Sequence, residues 1–338
     1  MKKFRSFSIL MTLVGSASAI QAGTGNNALV VTASNATANQ LLVYSSTGTL
    51  VQTVNTQGAG GVGGNAGGIE AQGSLVAAVN YGSLNVSMFQ RSGNSFQVTQ
   101  LVPAISNPVS VAFGPGHLYI LGTTEVESHA MSGSWVSATP DGEVALVVGD
   151  GSAAQVGVVQ NQLVITEKTN MIETVDLSPK GAVRGIATPV QNIPTNVNTP
   201  FGLVTVANNA YVTIAHSNEI SLVRNGAILT VTSSGTQSAP CWLTLVGPYL
   251  FSSNSPSLSV SRYAVYGQRI VQVAAVAATL EGNPTDIASG DGWVAVIDGS
   301  GTISHLSIFS VDEDGTLTLV TAATINELVN GVAVVAGD

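Results

Sequence analysis

Seven short, similar segments recur along this chain about every 45 residues, and that period limits the possible folds more than any other feature. The clearest copies read Asn107-Pro-Val-Ser-Val-Ala-Phe113, Thr199-Pro-Phe-Gly-Leu-Val204, Ala239-Pro-Cys-Trp-Leu-Thr-Leu245 and Asn283-Pro-Thr-Asp-Ile-Ala288. Weaker copies begin at Ala66, Ala153 and Val329. With strand starts at Gly67, Val109, Ala154, Phe201, Cys241, Thr285 and Asn330, the spacings are 42, 45, 47, 40, 44 and 45. Within a unit, further apolar runs are separated by turn residues such as Arg91-Ser-Gly-Asn94, Arg224-Asn-Gly226 and Asp312-Glu-Asp-Gly315. Second strands are expected at 75–79, 118–121, 163–166, 211–215, 249–252 and 293–297. No stretch shows a helical period bounded by caps.

This pattern predicts an all-β fold, a seven-bladed β-propeller with four-stranded antiparallel blades. The last repeat stands alone at the C-terminus, while 28–55 holds three strands without a first one. The C-terminal segment near 330–336 is therefore expected as the inner strand of a blade whose other strands come from the N-terminal segment. Hydrogen bonds between the two would close the ring and leave only short sheet edges.

Ahead of the repeats lies a secretory signal. Lys2, Lys3 and Arg5 precede the short apolar run around Ile9–Val14, and Ala17-Ser-Ala19 is a small-residue cleavage site. Residues 1–19 are read as the signal peptide, with an alternative cut after 22, and 23–338 as one propeller domain. The chain is expected to be secreted or extracellular and monomeric. The apolar run is too short to span a bilayer. Without its three basic residues, the net charge of -9 becomes about -12, with seven basic residues left and none clustered. Phosphate-rich partners need clustered Lys and Arg, so nucleic acid is excluded as a partner. One cysteine, Cys241, permits no intrachain disulfide, and its apolar surroundings predict a buried inert thiol. Sequons at Asn35 and Asn85 could carry glycans in a glycosylating host.

Topology restricts where a site can form. In such a blade, the segment leading into the first strand and the loop joining the second and third strands lie on one face. Seven blades bring these together around the channel mouth. The candidate catalytic residues there are Glu167, His216, His129 and Lys168, and the candidate ligand-binding residues are Glu127, Asn170, Asn80, Asn107, Gln155 and Asn254. Glu127 and His129 fall in 123–135, expected as a long loop on the binding face, where they would form an orienting carboxylate and a general base. Lys168 would polarise a carbonyl. A carboxylate near His216 would orient and charge its imidazole. His129 and His216 lack a metal-ligand spacing, and Gly58–Gly68 precedes a strand, unlike a nucleotide-binding glycine loop. No metal or cofactor is expected.

The segments Ile165-Thr-Glu-Lys-Thr-Asn-Met-Ile-Glu-Thr-Val175, Thr199-Pro-Phe-Gly202 and Ala239-Pro-Cys-Trp-Leu243 resemble the lactonase-type seven-bladed propellers. That group includes 6-phosphogluconolactonase and carboxymuconate cyclase. The resemblance is strongest over 105–310 and implies cofactor-free hydrolysis or cyclisation of a small lactone. It carries Glu167 into the site within the matching segment 166–170. The family's anionic substrates are held by arginines, and none falls on this face, so a neutral lactone or sugar-derived ligand is the better expectation. The competing reading is a non-catalytic extracellular propeller that binds a protein or glycan on the same face.

Overall fold

Each repeat folds as an antiparallel sheet in the computed structural model, which describes residues 28–191 and 198–337. The proposed signal peptide lies outside the described residues. The innermost strands of blades 1 to 7 are Ile69–Gln72, Ser110–Gly114, Ala153–Val159, Pro200–Val206, Pro240–Val246, Asn283–Gly290 and Asn330–Val335. Six blades run in sequence order from inner to outer strand. The seventh is divided as expected, with Asn330–Val335 inside Leu29–Ala33, Gln40–Ser45 and Leu50–Asn55. Leu29 pairs with Val335 and Val31 with Ala333. Blade 1 locks this closure, because the buried Arg91 donates from Nη1 to Val335 O at 3.3 Å and also to Ala336 O.

Burial follows position in the blade. Inner and second strands pack against neighbouring blades on both faces, so Leu75–Asn80 is buried throughout. The outer strand Leu50–Asn55 is half-buried or exposed along its length. Apolar side chains fill the wedges between blades, and one cluster joins blades 1, 2 and 3 through Val86, Val111, Tyr119 and Ile165. Pro200 and Pro240 open their strands, where a missing N–H costs least. Among the described residues there is no α-helix, only single 3-10 turns at Tyr81–Ser83 and Ala215–Ser217. None is long and apolar enough to cross a membrane.

One sequence expectation fails. Residues 123–135 do not form a long loop, because Glu125–Ser132 is the third strand of blade 2 and pairs with His117–Leu121. The irregularity of this unit lies further on. Its outer strand is broken into Trp135–Val136 and Gly142–Ala145, both paired to Glu125–Ser132. Glu127 and His129 therefore sit opposite Ile120 and Leu118 in a ladder, with backbone on either side.

Candidate functional site at the channel mouth

The mouth face carries the loops that topology places there, but most of the candidate side chains turn inward. Asn80, Glu167 and Asn254 lie at the ends of second strands and are fully buried. A buried backbone N–H at a loop needs an acceptor, and these side chains supply it or brace the loop. Glu167 accepts from Val148 N at 3.0 Å and Gly149 N at 2.8 Å. Asn80 accepts from Thr56 Oγ1 and Asn39 Nδ2, and donates to Asn85 Oδ1 and Ser87 Oγ, which saturates its amide. Asn254 donates to Ser259 Oγ and Ser261 Oγ and accepts from Ser252 Oγ. Asn107 donates to Tyr81 O at 2.8 Å, and Gln155 Oε1 accepts from Leu203 N at 2.6 Å.

The Glu127–His129 pair is together but enclosed. Glu127 Oε2 and His129 Nε2 lie 3.5 Å apart, both buried and without a hydrogen-bond partner. Glu127 Oε1 accepts from Ile105 N, and His129 Nδ1 donates to Ser137 O. The pair is thus buried, with Glu127 bracing the segment that leads into the first strand of blade 2.

His216 is the one exposed member of the candidate catalytic set. Its Nδ1 lies 2.8 Å from Thr199 Oγ1, and Asn170 Oδ1 accepts from Thr199 N at 3.1 Å. The fold therefore brings His216 and Asn170 together through Thr199. Asn170 adopts a left-handed φ of 60°, which a short polar residue tolerates at a turn. Lys168 is half-buried, and its Nζ donates to Gly64 O at 2.6 Å and Ala153 O at 3.2 Å. Burial lowers its pKa, with the Asp150 charge opposing that effect.

The Gly64 contact reveals what occupies the mouth. The glycine-rich segment before blade 1 crosses the channel axis. Asn65 Nδ2 donates to Val109 O on blade 2, Ala66 N donates to Ala154 O on blade 3, and Trp242 Nε1 on blade 5 donates to Asn65 O. Gly67 O accepts from Val111 N and Ser110 Oγ. Asn65 and Ala66 are buried by these contacts. Gly67 has a left-handed φ of 62°, and a Cβ there would lie 3.0 Å from Gln155 Nε2 and Ser110 Oγ. Glycine permits both that backbone and that approach. The signal for this segment in the sequence is the run of small residues over 58–68.

Two further groups were not among the candidates for catalysis or binding. His305 Nδ1 lies 2.7 Å from Asp298 Oδ1, and its Nε2 lies 3.4 Å from Glu281 Oε2. This array ties the 280–283 segment to blade 6. Burial raises the Asp298 carboxyl, which His305 partly offsets. Inside the channel below the glycine segment, Glu70 and Asp286 line a cavity of about 320 Å³. Asp286 gave a signal as a polar residue within a repeat start, and Glu70 gave none.

No protein-family model matches the chain, and no curated protein does either. Solved structures do. A protein of unknown function from Desulfotomaculum acetoxidans covers 92% of this chain and 100% of its own length, with 12% identity and a TM-score of 0.68. A protein provisionally named a 6-phosphogluconolactonase, from Bacteroides fragilis, covers 92% and 98% at 12% identity, with a TM-score of 0.63. The WD40 propeller domain of Doa1 covers 77% and 83% at 14% identity, with a TM-score of 0.55. At such identities the likeness establishes the fold. The chain is a seven-bladed β-propeller with lactonase-like and WD40 propellers among its structural neighbours.

Proposed function

We propose that this chain is an exported, non-catalytic binding propeller that offers its mouth-face loops to a protein or glycan. One observation carries the reading: the glycine-rich segment spans the mouth, and the carboxylates that would act there are spent on backbone N–H groups. A propeller enzyme needs a reachable concave site with convergent acid and base. Here Glu167, Glu127 and His129 are buried. Export rests on the n-region, apolar run and Ala17-Ser-Ala19, and predicts a mature N-terminus at Ile20, or Gly23 with the alternative cut.

A lactonase reading retains one support, the exposed His216–Thr199–Asn170 group beside Lys168, on a fold shared with provisionally named 6-phosphogluconolactonases. In that reading His216 is the base, and Lys168 polarises a carbonyl. The deciding experiment assays gluconolactone, its 6-phosphate and muconolactone with purified mature protein. No turnover above buffer is expected. Hydrolysis lost in His216→Ala but kept in Glu127→Gln would establish the enzyme and overturn the binding reading.

A further inference from the structure

The central channel holds a cavity below the glycine-rich segment. Gly64–Gly67 bridges blades at its mouth end, and the cavity of about 320 Å³ runs from Gly67 to Phe113, Val158, Thr205 and Ser289, near the turns that join first and second strands. Val111, Phe113, Val158, Leu203, Leu243 and Ile287 line it together with Gln155, Thr205, Thr244 and Ser289, and the surface it exposes is more polar than apolar. Among the described residues no Lys, Arg or His lines it. Two carboxyl groups do.

These carboxyls are not equivalent. Asp286 uses Oδ1 to accept from Ile287 N at 2.9 Å and Oδ2 to accept from Val332 N at 3.1 Å. Glu70 uses Oε2 to accept from Phe113 N at 3.1 Å, and its other oxygen has no protein partner among the described residues. Glu70 is half-buried and lines the cavity, so this oxygen is left to whatever enters.

The chemistry of the occupant follows by elimination. An anion meets two carboxyls and no base. A calcium ion needs six to eight oxygen ligands, and among the described residues no group of three or more potential metal ligands is assembled. A neutral sugar finds polar partners on these walls but brings no charge to pair with a carboxylate. A purely apolar guest leaves the Glu70 oxygen unpaired, which is costly once water is displaced. A protonated amine supplies that charge, and a carbon body attached to it meets the Phe113, Val158 and Leu203 part of the lining.

We propose that the channel is a binding site for a small amphipathic organic cation, whose ammonium group pairs with Glu70 and whose apolar body lies along the strand walls. It is separate from the mouth loops, because Gly64–Gly67 lies between them and the cavity.

Proton linkage gives this site a signature. Burial pushes the Glu70 carboxyl up to about 8, with the Phe113 N–H opposing, and pushes Asp286 up to about 7. The strands packed on Ile69–Gln72 are Leu75–Asn80, Ser110–Gly114 and Asn330–Val335, and they carry no other titratable side chain. An ammonium group binds the carboxylate form. Binding at pH 7 therefore releases close to one proton, and affinity rises with pH, by about fiftyfold from pH 6 to 8. Ionisation of Asp286 acts in the same direction.

The test is isothermal titration of the full-length mature protein with 2-phenylethylamine, 2-phenylethanol and phenylacetate at pH 6, 7 and 8. The amine is expected to bind at one site, at least tenfold tighter than the alcohol or the acid, with the pH rise and proton release just given. Glu70→Gln keeps an amide oxygen for Phe113 N and is expected to lose at least tenfold in affinity together with the proton release. No saturable amine binding, equal binding of the alcohol, or an unchanged affinity in folded Glu70→Gln overturns the proposal. Should that variant fail to fold, the charge series and pH series on the unaltered protein decide the matter alone.

Discussion

Glu173 should make the fold weaker as pH rises, and a single substitution should remove the effect. It lies in the third strand of blade 3, Met171–Leu177, and is fully buried. Its Oε2 accepts from Val147 N at 2.8 Å, while Oε1 has no partner. Burial pushes its carboxyl from 4.5 to about 7, the Val147 N–H opposes this, and the neighbouring Glu167 charge adds to it. The unfolded chain releases this proton near pH 4.5, whereas the folded chain holds it until about pH 7. Stability therefore falls as pH rises through that window and levels off above it. At 1.36 kcal/mol per pH unit, the interval corresponds to about 3 kcal/mol as an upper bound. Glu173→Gln keeps an oxygen for Val147 N and cannot ionise. It should raise Tm at pH 8 by about 6 °C, at about 2 °C per kcal/mol for a chain of this size, and leave Tm at pH 4 nearly unchanged. Differential scanning calorimetry at the two pH values measures both. The comparison cancels the similar contributions of Glu70 and Asp286, which persist in the variant. Equal shifts at pH 4 and pH 8, or a loss of stability at pH 8, would refute the assignment of cost to the buried charge.

Two other outcomes follow from the same contacts. Glu167→Ala strands the N–H groups of half-buried Val148 and Gly149 and should cost up to about 2–6 kcal/mol in urea unfolding, at about 1–3 kcal/mol per unsatisfied group; an unchanged midpoint would deny its bracing role. Burial pushes the Cys241 thiol up to about 12, so the native protein should react with a disulfide reagent at pH 8 far more slowly than the urea-unfolded chain, which absorbance at 412 nm records.

Repetition made the ring legible. Pro200, Pro240 and the turn at Asp312 announce strand boundaries locally, and the unpaired repeat at Asn330 could close only against the strands near residue 29. Side-chain direction was harder to read. Glu167 and Asn254 end strands beside loops, where the same letters serve a solvent-facing site or a buried brace. What separates the two is the demand of unpaired N–H groups at Val148 and Gly149, which are distant in sequence from the acceptor and show no pattern of their own. The Glu125–Ser132 segment misled for a related reason. Its acids and histidine look like loop composition, yet the blades cover both faces of the strand and bury them. Glu70 was missed because an inner strand has an open edge toward the channel, and the period does not say which inward residue answers it.

The divided blade makes the ends of the propeller unequal to any other pair of strands. Removing Asn330–Val335 would expose the edge of Leu29–Ala33 and the walls of blades 6 and 1 together. Val332, Val334 and Val335 are buried, and at about 2 kcal/mol each their burial contributes about 6 kcal/mol before strand pairing is counted. That is comparable to the whole stability of an ordinary domain. A chain ending at residue 328 should therefore lose the cooperative transition in circular dichroism. Loss of sequence alone is not the cause in this argument; loss of closure is. Leu29 and Val335 are paired neighbours, so a short glycine-serine linker can join the ends. New termini opened at the turn of Gly267 keep every strand and divide blade 5 instead, with its outer strand Arg269–Thr279 at the new N-terminus. This permutant of residues 28–337 should melt within a few degrees of the parent. A truncated chain that melts normally would show that six blades and an open edge suffice, and that the pairing of Leu29–Ala33 with Asn330–Val335 does not hold the ring.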